Sequence, residues 1–132
     1  MKKTIILSLI ILMAACSQVQ EPIQKYSIEE FYKNTRIGGG DFSADESKVL
    51  ISSDETGIFN VFAINIDDGS QKQITFSEQE SFFAVDYVPG TGEILYSADK
   101  GGNEINHIYL FKNDSSSVDL TPGAKEKAHF AG

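Results

Sequence analysis

Any chemistry in this chain has to come from one thiol, two imidazoles and a few adjacent carboxylates. Cys16 follows Ala14-Ala15, the histidines are His107 and His129, and the acid pairs include Glu29-Glu30, Asp54-Glu55 and Asp67-Asp68. No spacing joins them into a catalytic set. There is no G-x-S-x-G elbow to present an activated serine, no H-E-x-x-H or C-x-x-C to hold zinc, and no Walker loop. The acid pairs fall short of D-x-[DN]-x-[DN]-G, and a hard cation wants about six oxygens, so they read as turn formers. Gly38-Gly39-Gly40 lacks the G-x-G-x-x-G spacing and has no helix behind it, so it reads as a flexible lead-in to a strand, not a phosphate cradle. His107 opens an apolar run at the position Asn60 holds in an earlier run, which makes it a structural polar residue. The expectation is therefore no catalytic residue, no cofactor and no metal.

Cys16 has a different use. Lys2 and Lys3 precede an apolar run from Ile5 to Met13, then come small residues and the only cysteine. A charged start, an apolar segment and small residues at a cut form a secretory signal. The run is too short to cross a hydrocarbon core of about 30 Å. Met13-Ala14-Ala15-Cys16 resembles a bacterial lipobox, with Met13 where leucine is usual. The resemblance implies that the Cys16 thiol is the lipid attachment site and that the mature chain is exported and held in the cell envelope through a lipid anchor in its membrane. Cleavage before Cys16 would remove two lysines and move the formal charge from −8 to about −10 (−8 − 2). With 19 acidic against 11 basic residues and a pI near 4.6, the chain has no basic patch for phosphates, which excludes nucleic acid as a partner.

The rest of the chain repeats. Phe42 to Thr75 and Tyr87 to Thr121 share an order of parts: an aromatic, a tight turn, an apolar run closing on Ser-x-Asp, a Gly-bearing turn, a longer apolar run, and a short strand ending in Thr. Val49-Leu50-Ile51, Val61-Phe62-Ala63-Ile64, Ile94-Leu95-Tyr96 and Ile108-Tyr109-Leu110-Phe111 are apolar at odd and even positions alike, so each strand needs cover on both faces. Repeats in the mid-forties built of strand signals are the pattern of propeller blades. The fold class expected is all-β, a partial β-propeller of about two four-stranded antiparallel blades, preceded by the signal peptide and one short helix. Residues 1–15 are the signal peptide, 16–26 a tether, and 27–132 the N-terminal part of a propeller. Its blades lie at about 36–75 and 82–121, and a third is expected to be cut off in its first strand. Ser27-Ile28-Glu29-Glu30 has the form of a capping box and starts the helix.

Within this frame YSIEEFYKNTRIGGGDFSADESKVLISSDETGIFNVFAINIDDGSQKQIT, together with GGNEINHIYLF and DLTPG, resembles the N-terminal propeller of bacterial peptidases of the prolyl oligopeptidase family. The likeness covers residues 26–132, and DETGIFNVF and GGNEINHIYL carry most of it. The turn that reads Ser-Pro-Asp-Gly in many propellers stands here as Ser43-Ala44-Asp45-Glu46. The resemblance implies a two-domain serine peptidase in which the propeller admits peptide substrates to an α/β-hydrolase domain of the same polypeptide. The Ser, Asp and His of that domain map to no residue of this chain. Nor does the acidic pair with which some dipeptidyl peptidases hold a substrate's amino terminus, since the capping box accounts for Glu29-Glu30. The alternative is an envelope lipoprotein that binds protein partners through a propeller like that of the Tol system.

Overall fold

The structure, a computed structural model, describes residues 23–131. The expected signal peptide, the lipid attachment site Cys16 and the first part of the tether lie outside the described residues. The chain divides into two units, Met1–Lys33 and Asn34–Gly132. In the first, α1 (Ile28–Tyr32) begins on the capping box read from the sequence. The Ser27 amide donates to Glu30 Oε2 at 2.7 Å, and Ser27 Oγ accepts from the Glu30 amide at 3.3 Å. None of its five residues is buried, so the cap, and not packing, satisfies the first turn.

The second unit is all strand and turn. β1 (Ile37–Phe42), β2 (Lys48–Ser53), β3 (Asn60–Asn65) and β4 (Gln71–Gln73) pair in that order into one antiparallel sheet. β5 (Phe83–Tyr87), β6 (Ile94–Ala98), β7 (His107–Phe111) and β8 (Ser117–Asp119) form a second sheet of the same order. Each strand stops where turn chemistry begins, for example at Asp67-Asp68-Gly69, where Gly69 takes φ 69° and its amide closes on the Asn65 carbonyl at 2.9 Å. Even the irregularities repeat. The register slips between Gly39 and Phe42 in β1, and between Ala84 and Asp86 in β5, so each sheet begins with a bulge that re-aims its first strand.

The two sheets pack through one face each. Register places Leu50, Ser52, Val61 and Ala63 on the inner face of the first sheet. Leu50 and Val61 are fully buried against Ile94, Tyr96 and Ala98 of the second, with Phe82, Ala84, Tyr87 and Phe111 completing the core. Burying a side chain of this size contributes about 1.5–3 kcal/mol. A polar seam crosses the apolar one: the Ala84 amide, left over by the β5 bulge, donates to Ser52 Oγ at 2.8 Å.

The three glycines belong to the first strand itself, as a blade beginning at about residue 36 requires. They lie within β1, and Gly40 is crowded by both Leu50 of β2 and Ala84 of β5. A Cβ there would stand 2.9 Å from the Leu50 carbonyl oxygen and 3.0 Å from Ala84 Cβ, whereas one at Gly39 would meet nothing. Gly40→Ala is therefore expected to destabilise the chain by about 1–3 kcal/mol, as overpacking does. Gly39→Ala should leave the denaturation midpoint nearly unchanged, and chemical denaturation of the two variants side by side checks the contrast.

The turn between β1 and β2 is held by its acid. Asp45 Oδ1 accepts from Ser43 Oγ at 2.7 Å, Ser47 Oγ at 2.8 Å and the Ser47 amide at 3.1 Å. The Ser43 hydroxyl first, then the hydroxyl and amide of Ser47, lower the carboxyl to about 2. Glu46 takes φ 55°, the left-handed region that favours glycine, so the turn keeps a glycine's backbone without the glycine. Glu46→Gly should hold or raise stability by up to about 1 kcal/mol, while Glu46→Val should lower it by about 1–2 kcal/mol. Thermal melts of both variants test this.

Candidate functional site

The most organised polar groups lie where the third strand of each sheet begins. In the first sheet Asn60, 1 % exposed, uses its whole side-chain amide. Its Oδ1 accepts from Thr75 Oγ1 at 3.0 Å and the Ser77 amide at 2.8 Å, while Nδ2 donates to the Ser77 carbonyl at 3.0 Å and Thr56 Oγ1 at 3.3 Å. Thr75 Oγ1 in turn accepts from the Val61 amide at 2.8 Å, continuing the β3–β4 ladder with a side chain after the strand has ended. In the second sheet the Ile108 amide donates to Thr121 Oγ1 at 3.0 Å in the same way. Here His107 replaces Asn60: its Nδ1 lies 2.7 Å from Asp119 Oδ2, and Asp119 Oδ1 accepts from the Thr121 amide at 2.9 Å.

The imidazole also ends an aromatic row. Phe82 and Tyr96 have centroids 4.7 Å apart, Tyr96 and Tyr109 stack at 5.1 Å, and Tyr109 and His107 stack at 6.3 Å. Burial pushes the Asp119 carboxyl up, but the His107 hydrogen bond, the Thr121 amide and the imidazole charge together hold it below the usual carboxylate range. Chemically this is an Asp–His pair without a nucleophile. Among the described residues no hydroxyl or thiol hydrogen-bonds the ring, and the pair fastens β7 to β8.

The remaining candidates do not converge. Asp54 is taken up by Arg36, whose amide donates to Oδ1 at 2.7 Å and whose Nε donates to Oδ2 at 2.6 Å; these bonds, the side-chain one first, lower its pKa. Arg36 also covers the Phe59 ring, its guanidinium carbon 5.0 Å from the centroid. Glu55 accepts from Gln71 Nε2 at 2.7 Å, and Asp68 accepts from the Ser70 amide at 2.8 Å. His129 lies beside Phe130 in a crevice against Phe83 and Ile108. No group of three metal-binding side chains occurs among the described residues. Sequence reasoning gave Thr75 and Thr121 only as strand ends and overlooked Asp119. The signal available was their shared place, a threonine closing each repeat, with Asp-Leu before the second.

A carboxyl whose pKa is lower in the folded chain contributes stability above its unfolded value and loses it as pH falls through the folded one. Asp119, Asp54 and Asp45 all have this sign, so stability should decline as pH falls below about 4. Asp119→Asn should flatten that decline, as measured by urea midpoints between pH 6 and pH 2. An equally steep curve for the variant would count against the assignment.

Among the described residues, then, the repeated nodes are structural fasteners. No family model, no curated protein and no solved structure matches the chain.

Proposed function

We propose that this chain is the N-terminal β-propeller region of an exported, lipid-anchored serine peptidase of the prolyl oligopeptidase family. In this reading the two sheets are successive blades. Around them the ring screens peptides by size, and an α/β-hydrolase domain with no residue in this sequence carries out acyl transfer. The observation that carries the blade reading is the recurrence of the same backbone steps in the two sheets. Ile74 N to Val61 O at 2.8 Å is matched by Leu120 N to Ile108 O at 2.9 Å. Phe82 N to Phe59 O at 2.8 Å, which starts the second sheet beside the first, is matched by Ala128 N to Asn106 O at 2.8 Å. The chain thus leaves the second sheet by the step that took it out of the first, as stacking repeats do. The peptidase assignment itself rests on the resemblance of residues 26–132.

The lipid-anchor part rests on the order of Lys2-Lys3, the apolar run and Ala14-Ala15-Cys16. Two acyl chains on a glyceryl thioether would anchor stably, at about 0.8 kcal/mol per buried methylene. Intact-mass analysis of the membrane-extracted native gene product should find Cys16 as the N-terminus with lipid mass attached. The same material should react with a serine-directed fluorophosphonate and cleave peptide amides, while a fragment of residues 16–132 should do neither. A native product that carries lipid but resists the fluorophosphonate would favour a protein-binding propeller, and an N-terminus elsewhere would overturn the anchor.

A further inference from the structure

Between the turn ends of the two sheets lies a cleft of about 530 Å³, a volume within the range of about 300–1,000 Å³ common for small-molecule sites. Its lining is apolar at depth, with Ala63, Ile74, Ile94 and Phe111, and basic at the margin, with Lys48, Lys72 and Lys112. The charge is out of keeping with the chain, which carries 19 acidic residues against 11 basic. Three of those basic residues line this one cleft, and no Asp or Glu does. Neither Lys48 nor Lys72 has an ion-pair partner among the described residues. The nearby turn acids are engaged with their own turns, Asp45 with the Ser43 and Ser47 hydroxyls at 2.7 and 2.8 Å, Asp68 with the Ser70 amide at 2.8 Å and Asp114 with the Ser116 amide at 2.9 Å.

A second feature points the same way. Tyr87 lines the cleft, and its hydroxyl is buried without a hydrogen-bond partner, the only such side-chain atom among the described residues. Buried polar atoms almost always have a partner, and one left alone is destabilising. Burial, and then the charge of Asp45, push the phenol's pKa up. A donor without an acceptor, apolar walls and unpaired ammonium groups together describe a ligand with an apolar body and an anionic head.

We propose that the cleft between the two sheets binds a small amphipathic carboxylate, its tail against Ile74, Ile94 and Phe111 and its head toward Lys48, Lys72 and the Tyr87 hydroxyl. This is independent of the peptidase reading, since it needs only the two sheets. The probes are decanoate, 1-decanol and decyltrimethylammonium, each kept below its aggregation limit and titrated calorimetrically into the full chain. Decanoate should bind saturably at one site and raise the melting temperature. Decanol should bind at least about tenfold more weakly, because it lacks the charge-assisted bonds, and the cation should not bind. The K48Q/K72Q double variant should melt like the parent and lose about tenfold or more in decanoate affinity, and Tyr87→Phe should lose less. Absence of saturable decanoate binding, equal binding of the cation, or full affinity in K48Q/K72Q would each overturn the proposal. If the double variant melts early, the comparison of the three probes on the unaltered chain decides alone.

Discussion

A strand that is apolar on both faces must be covered twice, and this requirement governs most of the architecture. In β2 and β3 the residues facing the second sheet, Leu50 and Val61, are fully buried, yet Ile51 and Phe62 on the opposite face are also only 5 % and 2 % exposed. In β6 and β7 Tyr96 and Tyr109 pair on the inner face and Leu95 and Leu110 on the outer, where both leucines are half-buried. Sheets of this kind stack in series, because the outer face of one presents what the inner face of the next requires. The constraint reaches the backbone too: stacking brings Gly40 against Leu50 and Ala84, and only a residue without a Cβ fits there without displacement.

The meeting of the sheets and the ends of short strands leave amides that the ladders do not satisfy, and the polar residues that look out of place in an apolar core satisfy them. Ser52 serves the amide freed by the β5 bulge, and Thr75 and Thr121 serve the amides at the start of β3 and β7. Within a core, an unmade hydrogen bond costs about 1–3 kcal/mol, more than a made one contributes net. Ser52, Ser53, Asn60 and Thr75 are therefore buried for the bonding they permit and not for their own transfer energy, which is unfavourable.

The strands were legible because their evidence is local. Runs rich in Val, Ile, Phe and Tyr, bounded by Thr56-Gly57, Asp67-Asp68-Gly69 and Pro89-Gly90, place the strands within the expected ranges 36–75 and 82–121, where β1 to β4 and β5 to β8 lie. The capping box was legible for the same reason, its two partners being three residues apart. What the sequence hid depends on distance along the chain. The closeness of Gly40 to Ala84, the Arg36 clasp on Asp54 and the cleft lined by Lys48, Lys72 and Lys112 arise only when segments far apart in sequence meet. The role of Asp119 stayed hidden because aligning the repeats sets it opposite Gln73, a different side chain that bonds the Thr75 carbonyl.

That difference bears on how the two sheets can diverge while stacking alike. The backbone step is held fixed by the threonine hydroxyl in both, so the residue that opens the third strand is free to change so long as it finds its own partner. Asn60 finds uncharged ones, Thr75, Thr56 and Ser77, and its bonds do not depend on pH over the range in which proteins fold. His107 finds a carboxylate, Asp119, whose pKa is held below the usual range, so this bond depends on the ionisation of Asp119. One node is thus insensitive to acid and its counterpart is not. The first sheet's acid-sensitive bonds are those of Asp45 in the β1–β2 turn and Asp54 on Arg36 before β1, so as carboxylates protonate the two sheets loosen at different places, the first at its turn and its entry and the second where β7 meets β8.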